Sequence, residues 1–193
     1  MKKEIILQLF FISVLLFACS KEETPNLPQI EYGRFRGDIG RYFYDLINDK
    51  LNERTSTTHF DGKNFQFQFN SDSSSPSIIG GSIYEVNQIL TVNLVEPLNT
   101  PSFLFFETYK GSKNYIENWI TVDSFEQRGD KKTEKFYTTV KEKQSINVDI
   151  LSVTYKELKT PSLKGRIKGY LYNVENKEDS ILINATFTTQ AAY

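Results

Sequence analysis

Apolar and polar side chains alternate with a period of two along much of the chain after about residue 30. In Phe65–Phe69 three phenylalanines alternate with two glutamines, and Leu90–Leu94 alternates in the same way. A period of two places apolar side chains on one face of a β-strand and polar side chains on the other. The same alternation recurs in three later segments, Ile146–Ile150, Ile167–Leu171 and Ile181–Phe187. We therefore predict a strand at each of these segments.

Turn-forming residues separate the predicted strands at short intervals. Gln127–Lys132 and Asn173–Asp179 have the composition of polar hairpin tips, and Phe103–Phe106, apolar at every position, predicts an interior strand. Several short strands divided by Gly, Asn, Asp, Ser and Pro are typical of sandwiches and barrels. We expect an all-β domain, built as an antiparallel β-sandwich or flattened barrel of roughly ten strands.

The segment from Ile39 to Asn52 allows two interpretations. Its apolar residues lie on a helical stripe after Asp38, a suitable helix N-cap; they are Ile39, Tyr42, Phe43, Leu46, Ile47 and Leu51. Gly40 and the aromatic run from Tyr42 to Tyr44 favour a strand instead. We expect a strand up to Ile39 and one short helix near residues 39–52, with a strand as the alternative.

The N-terminus has the pattern of a lipoprotein signal peptide. Lys2 and Lys3 precede an apolar run, Ile5–Phe17, that is shorter than the roughly 20 residues of a membrane-spanning helix. Cys19 follows Leu16 and Ala18, where a lipoprotein signal places the thiol that carries the lipid. The prediction is a signal peptide over residues 1–18, a lipidated Cys19 with a flexible linker over residues 19–29, and one β domain over residues 30–193.

Two parts of the chain resemble uncharacterised surface lipoproteins of the Bacteroidota. The stretch Leu163–Asn173, followed by Ser180–Phe187, is similar to their closing hairpin, and Ser20–Glu23 is similar to the signal for export to the outer face of the outer membrane. The resemblance implies a β-sandwich lipoprotein of unknown function that faces the cell exterior, with the periplasmic face as the alternative. It implies no catalytic residues.

Composition excludes several kinds of chemistry. The chain has one cysteine and one histidine, so a zinc or iron site built from several of either is excluded, and we predict no metal and no cofactor. His59 lies in a polar stretch that predicts a turn, and nothing around it indicates a catalytic site. The net charge of −1 gives no indication of a nucleic-acid partner. We therefore expect a non-enzymatic binding or scaffolding role, with the membrane as one partner and a polysaccharide or surface protein as another. The alternative from a different class is a hydrolase of cell-surface polymers, whose catalytic carboxylates the sequence does not single out.

One aromatic pair suggests a ligand site. In a strand of period two, Tyr115 and Trp119 lie on the face opposite Ile116 and Ile120. If the aliphatic face is core, Trp119 points outward, and with Tyr115 and Asn118 it forms a platform for a sugar ring. The interpretation that we favour is a Trp119 covered by a loop or by the second layer, because most tryptophans are largely buried. The first arrangement predicts a surface glycan-binding module, and the second leaves no ligand site.

Overall fold

Eleven β-strands form the regular structure of the described part of the chain. The computed structural model describes residues 33–47, 56–71, 77–79, 82–99, 102–108, 110, 116–140, 142–143, 145–154 and 159–190, and no helix occurs among them. The strands are β1 Arg34–Ile39, β2 Tyr42–Ile47, β3 Ser56–Phe60, β4 Asn64–Asn70, β5 Ser77–Ile79, β6 Ser82–Val95, β7 Trp119–Arg128, β8 Lys131–Thr138, β9 Ile146–Thr154, β10 Ser162–Asn173 and β11 Ser180–Thr188. No part of the described chain is a helix long and apolar enough to cross a bilayer.

The strands belong to one curled sheet that resembles half a barrel. Its order is β2-β1-β11-β10-β8-β7-β6-β4-β3, with β5 attached to β6 and β9 attached to β10. Every strand pairing is antiparallel. The expected all-β antiparallel fold is therefore confirmed, and the strands predicted from alternation all lie within β4, β6, β9, β10 and β11.

A phenylalanine cluster fills the inner face of the curl. Phe67 on β4 stacks on Phe187 of β11 with ring centroids 4.7 Å apart, and Phe35 on β1 lies 5.1 Å from Phe69 on β4. All four side chains are buried. Because β4 is far from β1 and β11 in the sheet order, these contacts cross the inside of the curl and close the core.

Two glycines allow the sheet to bend on either side of β11. Gly37 of β1 pairs with Ala185, and Gly169 of β10 pairs with Ile183. Both adopt positive φ, +150° and +145°, and a β-carbon at either would overlap the backbone of a neighbouring strand. Glycine inside a strand often marks a tight bend of this kind.

The lateral link between β10 and β8 is narrow. The first part of β10 pairs with β9, from Ser162 to Gly169, whereas only Tyr172 and Asn173 pair with β8. The sheet therefore consists of two parts joined through a short ladder. One part contains β2, β1, β11, β10 and β9, and the other contains β8, β7, β6, β4, β3 and β5.

The predicted helix is wrong over the residues that the structure describes. Gly40 turns the chain at φ +63°, and β2 then pairs with β1, with Asp38 opposite Phe43. Tyr44 and Leu46 pack against the core while Phe43 is 61% exposed, so the true period is two. The strand forms because the backbone hydrogen bonds between β2 and β1 stabilise it more than a helix with the same apolar stripe would be stabilised. Residues 48–52 lie outside the described residues.

Two smaller predictions are also wrong. Phe103–Phe106 is a connection rather than an interior strand, because only Phe105 forms a β-bridge, to Asn118, and Leu104 is 51% exposed. His59 lies in strand β3 opposite Gln66 rather than in a turn, because Thr57–Phe60 pairs with β4. The hairpin tips at Gln127–Lys132 and Asn173–Asp179 are confirmed: they connect β7 to β8 and β10 to β11.

Candidate functional site

The structure buries Trp119, so this ring is not part of an exposed platform. The side chain of Trp119 is 4% exposed, while Ile116 is 83% exposed and precedes the strand. Trp119 is buried, as the favoured interpretation expects, and its outward orientation is wrong, because the start of β7 is buried on both faces. Tyr115, the second ring of the platform, lies outside the described residues, as does Cys19.

Asn118 has a structural role at the start of β7. Its Oδ1 accepts a hydrogen bond from the backbone N–H of Val95 at 2.7 Å, and its Nδ2 donates to the carbonyl of Leu104 at 3.2 Å. The backbone N–H of Phe106 donates to the Asn118 carbonyl at 2.8 Å. The connection before β7 is therefore tied to this end of the strand, and the Asn118 side chain is engaged by the fold.

A groove at one end of the curl is the better candidate site, and we call it the tyrosine groove. It has a volume of about 540 Å³ and is lined by residues from β2, β6, β7, β8, β10 and β11, among them Tyr42, Gln88, Glu126, Lys135, Tyr137 and Tyr170. Small-molecule sites commonly have volumes in this range. Its walls include both parts of the sheet, so the curl of the sheet creates the groove.

Strand register explains why the groove is polar. The core row across β6, β7 and β8 is Leu90, Val122 and Tyr137. Two residues further along, the same inward positions carry Gln88, Ser124 and Lys135. The inner face therefore changes from apolar to polar within one repeat of the strand period.

One side of the groove is a hydrogen-bonded network around Glu126. Arg41 Nη2 donates to Glu126 Oε2 at 2.9 Å, and the Tyr42 hydroxyl donates to Oε1 at 3.2 Å. Arg41 Nε donates to the Tyr42 hydroxyl oxygen at 2.8 Å, with the guanidinium carbon 4.9 Å from the ring centroid. This network links the β1–β2 turn to β7 across the opening of the curl and holds the Tyr42 ring in place.

A second contact from β2 reaches the buried end of the groove. The Tyr44 hydroxyl donates to Gln88 Oε1 at 2.9 Å, and Gln88 Nε2 donates to Ser124 Oγ at 3.2 Å. Gln88 is almost fully buried, so its amide needs these partners. The bonds fix the orientation of the amide at the base of the groove.

The other side of the groove is built around Asp179. Lys135 Nζ donates to Asp179 Oδ2 at 2.8 Å, and Asn173 Nδ2 donates to the same oxygen at 3.2 Å. The hydrogen bond from Lys135 lowers the pKa of Asp179 and raises that of Lys135, and burial raises the pKa of Tyr137. Near neutral pH the aspartate is ionised, the lysine is protonated and the Tyr137 hydroxyl, 3.4 Å from Oδ2, is a hydrogen-bond donor.

The charged side chains of the groove are neutralised in ion pairs, and aromatic rings lie beside them. Arg41 pairs with Glu126 and Lys135 pairs with Asp179. Tyr170 is 47% exposed and also lines the groove, and its side chain belongs to the outward-facing series of β10. Sugars suit such a surface, because hydroxyls bind to polar side chains while the apolar face of the pyranose packs on an aromatic ring. Among the described residues, no three His, Cys, Asp or Glu side chains are grouped as metal ligands.

Comparison with known proteins gives one partial match. A family model described as a domain of unknown function (DUF5025) matches residues 106–190. The matched region contains β7 to β11, and with them Lys135, Tyr137, Tyr170 and Asp179, but not β1 to β6. No curated protein and no solved structure matches the chain.

Proposed function

We propose that the protein is a lipid-anchored, non-enzymatic binding protein of the outer membrane, that it faces the cell exterior, and that its tyrosine groove binds a glycan. Cys19 carries the lipid, residues 19–29 are the linker and residues 30–193 form the binding domain. The glycan assignment rests on one observation: three tyrosines, Tyr42, Tyr137 and Tyr170, line the groove. The Arg41–Glu126 and Lys135–Asp179 ion pairs lie beside them.

The hydrogen bonds of the two carboxylates at the groove, Asp179 and Glu126, support ligand binding rather than glycoside hydrolysis. Glycoside hydrolysis needs one carboxyl group that is protonated near neutral pH and a second that is ionised. The pKa of Asp179 is lowered, chiefly by the Lys135 ammonium, so this group is not a proton donor near neutral pH. Glu126 is engaged by both Arg41 and Tyr42. The two groups instead present fixed acceptors and donors to a ligand.

The anchor is tested by replacing Cys19 with serine. A hydroxyl cannot take the place of the thiol that accepts the diacylglycerol, so the variant should incorporate no labelled fatty acid and should keep its signal peptide. The matched control is Ser20→Ala, which alters the neighbouring residue and leaves the thiol in place. Undiminished labelling of Cys19→Ser would remove the lipoprotein assignment.

Binding in the groove is tested by truncating an exposed ring. Tyr170→Ala should abolish retention of the intact protein on those immobilised polysaccharides that retain the wild type, with little change in melting temperature, because the ring is half exposed. Phe43→Ala is the matched control, since it removes an exposed ring of β2 that does not line the groove. Equal losses in the two variants, or a wild type that binds only a surface protein, would exclude the groove as a glycan site.

A further inference from the structure

The exposed side chains on the outer face of β10 form a line of cations, and this line ends at Tyr170, a residue that also lines the tyrosine groove. Lys164, Arg166 and Lys168 are all exposed and occupy alternate positions, and Tyr170 at the edge of the groove is the next residue in the series. We call the three cations the cation row. Alternate residues of a strand lie about 7 Å apart, so the row extends about 14 Å from Lys164 to Lys168.

Hydrogen-bonding side chains lie beside the row on the neighbouring strands. Arg166 pairs in register with Thr186 of β11, and Thr186 pairs with Arg36 of β1. Lys168 pairs in the same way with Asn184. A surface cavity of about 460 Å³ is lined by Arg36, Arg166, Lys168, Asn184 and Thr186, together with Asp149. Thr186 therefore lies between two guanidinium groups. Arg36 Nε is 3.8 Å from Asp45 Oδ2, so Arg166 is the stronger candidate of the two for binding an anionic group.

The cation row retains its charge within the described part of the chain. Its three members form no ion pair there, whereas other cations such as Arg34, Arg41 and Lys135 are paired with carboxylates. The overall charge of the protein is −1, so three such cations in line are not the result of a basic composition.

Carboxylates on both sides of the row limit the shape of a partner. Asp149 of β9 pairs in register with Arg166, and Asp45 of β2 lies beyond Arg36 on the other side. A flat anionic membrane would meet these carboxylates together with the cations. A narrow polymer that follows β10 would meet Asp149 beside the three cations but would not reach Asp45, which lies three strands away on β2. The arrangement therefore favours a linear polyanion.

We infer that the glycan bound in the tyrosine groove is acidic, a polysaccharide carrying carboxylate or sulfate groups, and that its chain leaves the groove past Tyr170 and follows β10 over the cation row. The inference rests on the proposed function, because it extends the same site. Arg166 binds an anionic substituent in bidentate fashion, and Lys164 and Lys168 act as point charges on either side.

The test compares polymers that share a backbone and differ in charge. Wild-type protein, intact and in detergent, is passed over immobilised polygalacturonate and over the same polymer with its carboxyl groups methyl-esterified. Dextran sulfate and dextran provide a second pair. We expect retention on the two acidic polymers, weaker retention on the neutral ones, and a decrease with rising salt.

Two triple variants distinguish binding at the cation row from a general electrostatic attraction between protein and polymer. The triple variant Lys164→Gln, Arg166→Gln and Lys168→Gln should bind the acidic polymers about tenfold more weakly, as expected for three exposed charge contacts. The triple variant Lys131→Gln, Lys132→Gln and Lys159→Gln removes the same charge from exposed positions elsewhere and should bind almost as the wild type does. Equal losses in the two triple variants would overturn the inference.

Two further outcomes distinguish this inference from the proposed function. If Tyr170→Ala abolishes binding while the cation-row variant binds normally, the ligand is neutral and only the extension along β10 fails. If no acidic or neutral polysaccharide is retained, both conclusions fail. Displacement of polygalacturonate by phosphatidylglycerol vesicles but not by phosphatidylcholine vesicles would make the membrane the partner and would also overturn the inference.

Discussion

Phe67 on β4 and Phe187 on β11 stack with ring centroids 4.7 Å apart and an angle of 26° between the rings, although four strands separate β4 from β11 in the sheet. The contact joins the two parts of the curled sheet across its interior. Phe67→Ala should lower the free energy of unfolding by about 3 to 5 kcal/mol, the usual cost of emptying a buried phenylalanine site.

The matched control for Phe67 is its neighbour Gln66, whose side chain points to the other face of β4 and is half-buried. Gln66→Ala should change the free energy of unfolding by less than about 1 kcal/mol. Both values come from urea unfolding followed by circular dichroism. A larger loss for Gln66→Ala than for Phe67→Ala would mean that the facing of β4 is reversed.

The burial of Trp119 predicts its fluorescence, because it is the only tryptophan in the chain. Native emission should be blue-shifted and resistant to quenching by iodide, and both properties should be lost on unfolding. Trp119→Ala should lower the free energy of unfolding by about 3 to 5 kcal/mol. Native emission at the wavelength of free tryptophan would show that the start of β7 is exposed.

The bend at Gly37 predicts an unusually costly glycine substitution. Gly37→Ala places a β-carbon against the backbone of Ala185 at positive φ, and it should destabilise the protein by about 4 kcal/mol or more. Gly62→Ala is the control, because Gly62 also has positive φ but has open space around the new atom. It should cost only about 1 to 2 kcal/mol for the left-handed backbone. Similar costs at the two sites would argue against a tight bend at β1.

The turn before β4 predicts a pH-dependent contribution from Asp61. A hydrogen bond from the Asn64 side chain, with further bonds from the backbone N–H groups of Asn64 and Lys63, lowers the pKa of Asp61 from 3.8 to about 2. A carboxyl group with a lowered native pKa stabilises the fold above its unfolded pKa, and this contribution is lost as the pH falls through the native pKa.

Asp61→Asn should therefore melt at a lower temperature than the wild type at pH 6, and the difference should shrink between about pH 4 and pH 2. Asp130→Asn, at the turn between β7 and β8, makes the same charge change and serves as the control. A difference for Asp61→Asn that stays constant down to pH 2 would show that the ionised carboxylate does not stabilise the turn.

Local alternation was enough to predict much of the fold. Phe65–Phe69 and Ile181–Phe187 are strands because each faces the core on one side only, and this leaves a period of two in the sequence. The helix predicted over Tyr42–Ile47 is wrong because six residues with three aromatics fit both a helical period and a period of two. What decides between them is the pairing of β2 with β1 through the Gly40 turn, which the apolar pattern does not contain.

The candidate site was largely beyond the reach of sequence patterns. Arg41 and Glu126 are 85 residues apart, and Lys135 and Asp179 are 44 apart, so only the curl of the sheet brings each pair together. One signal was present: Gln88 and Ser124 continue the inward alternation of Leu90 and Val122 with polar side chains. A polar residue at an inward position indicates either a buried network or a site. In this protein the two inward polar residues, Gln88 and Ser124, form the base of the groove.

The two-residue ladder between β10 and β8 means that side chains, rather than a backbone ladder, hold much of the sheet closed. The Arg41–Glu126 and Lys135–Asp179 bonds each join residues of one part to residues of the other. A ligand in the tyrosine groove contacts both parts of the sheet and so adds a further connection between them. Occupancy and folding are then thermodynamically linked, so saturating ligand should raise the melting temperature and slow amide exchange at Tyr172 and Asn173.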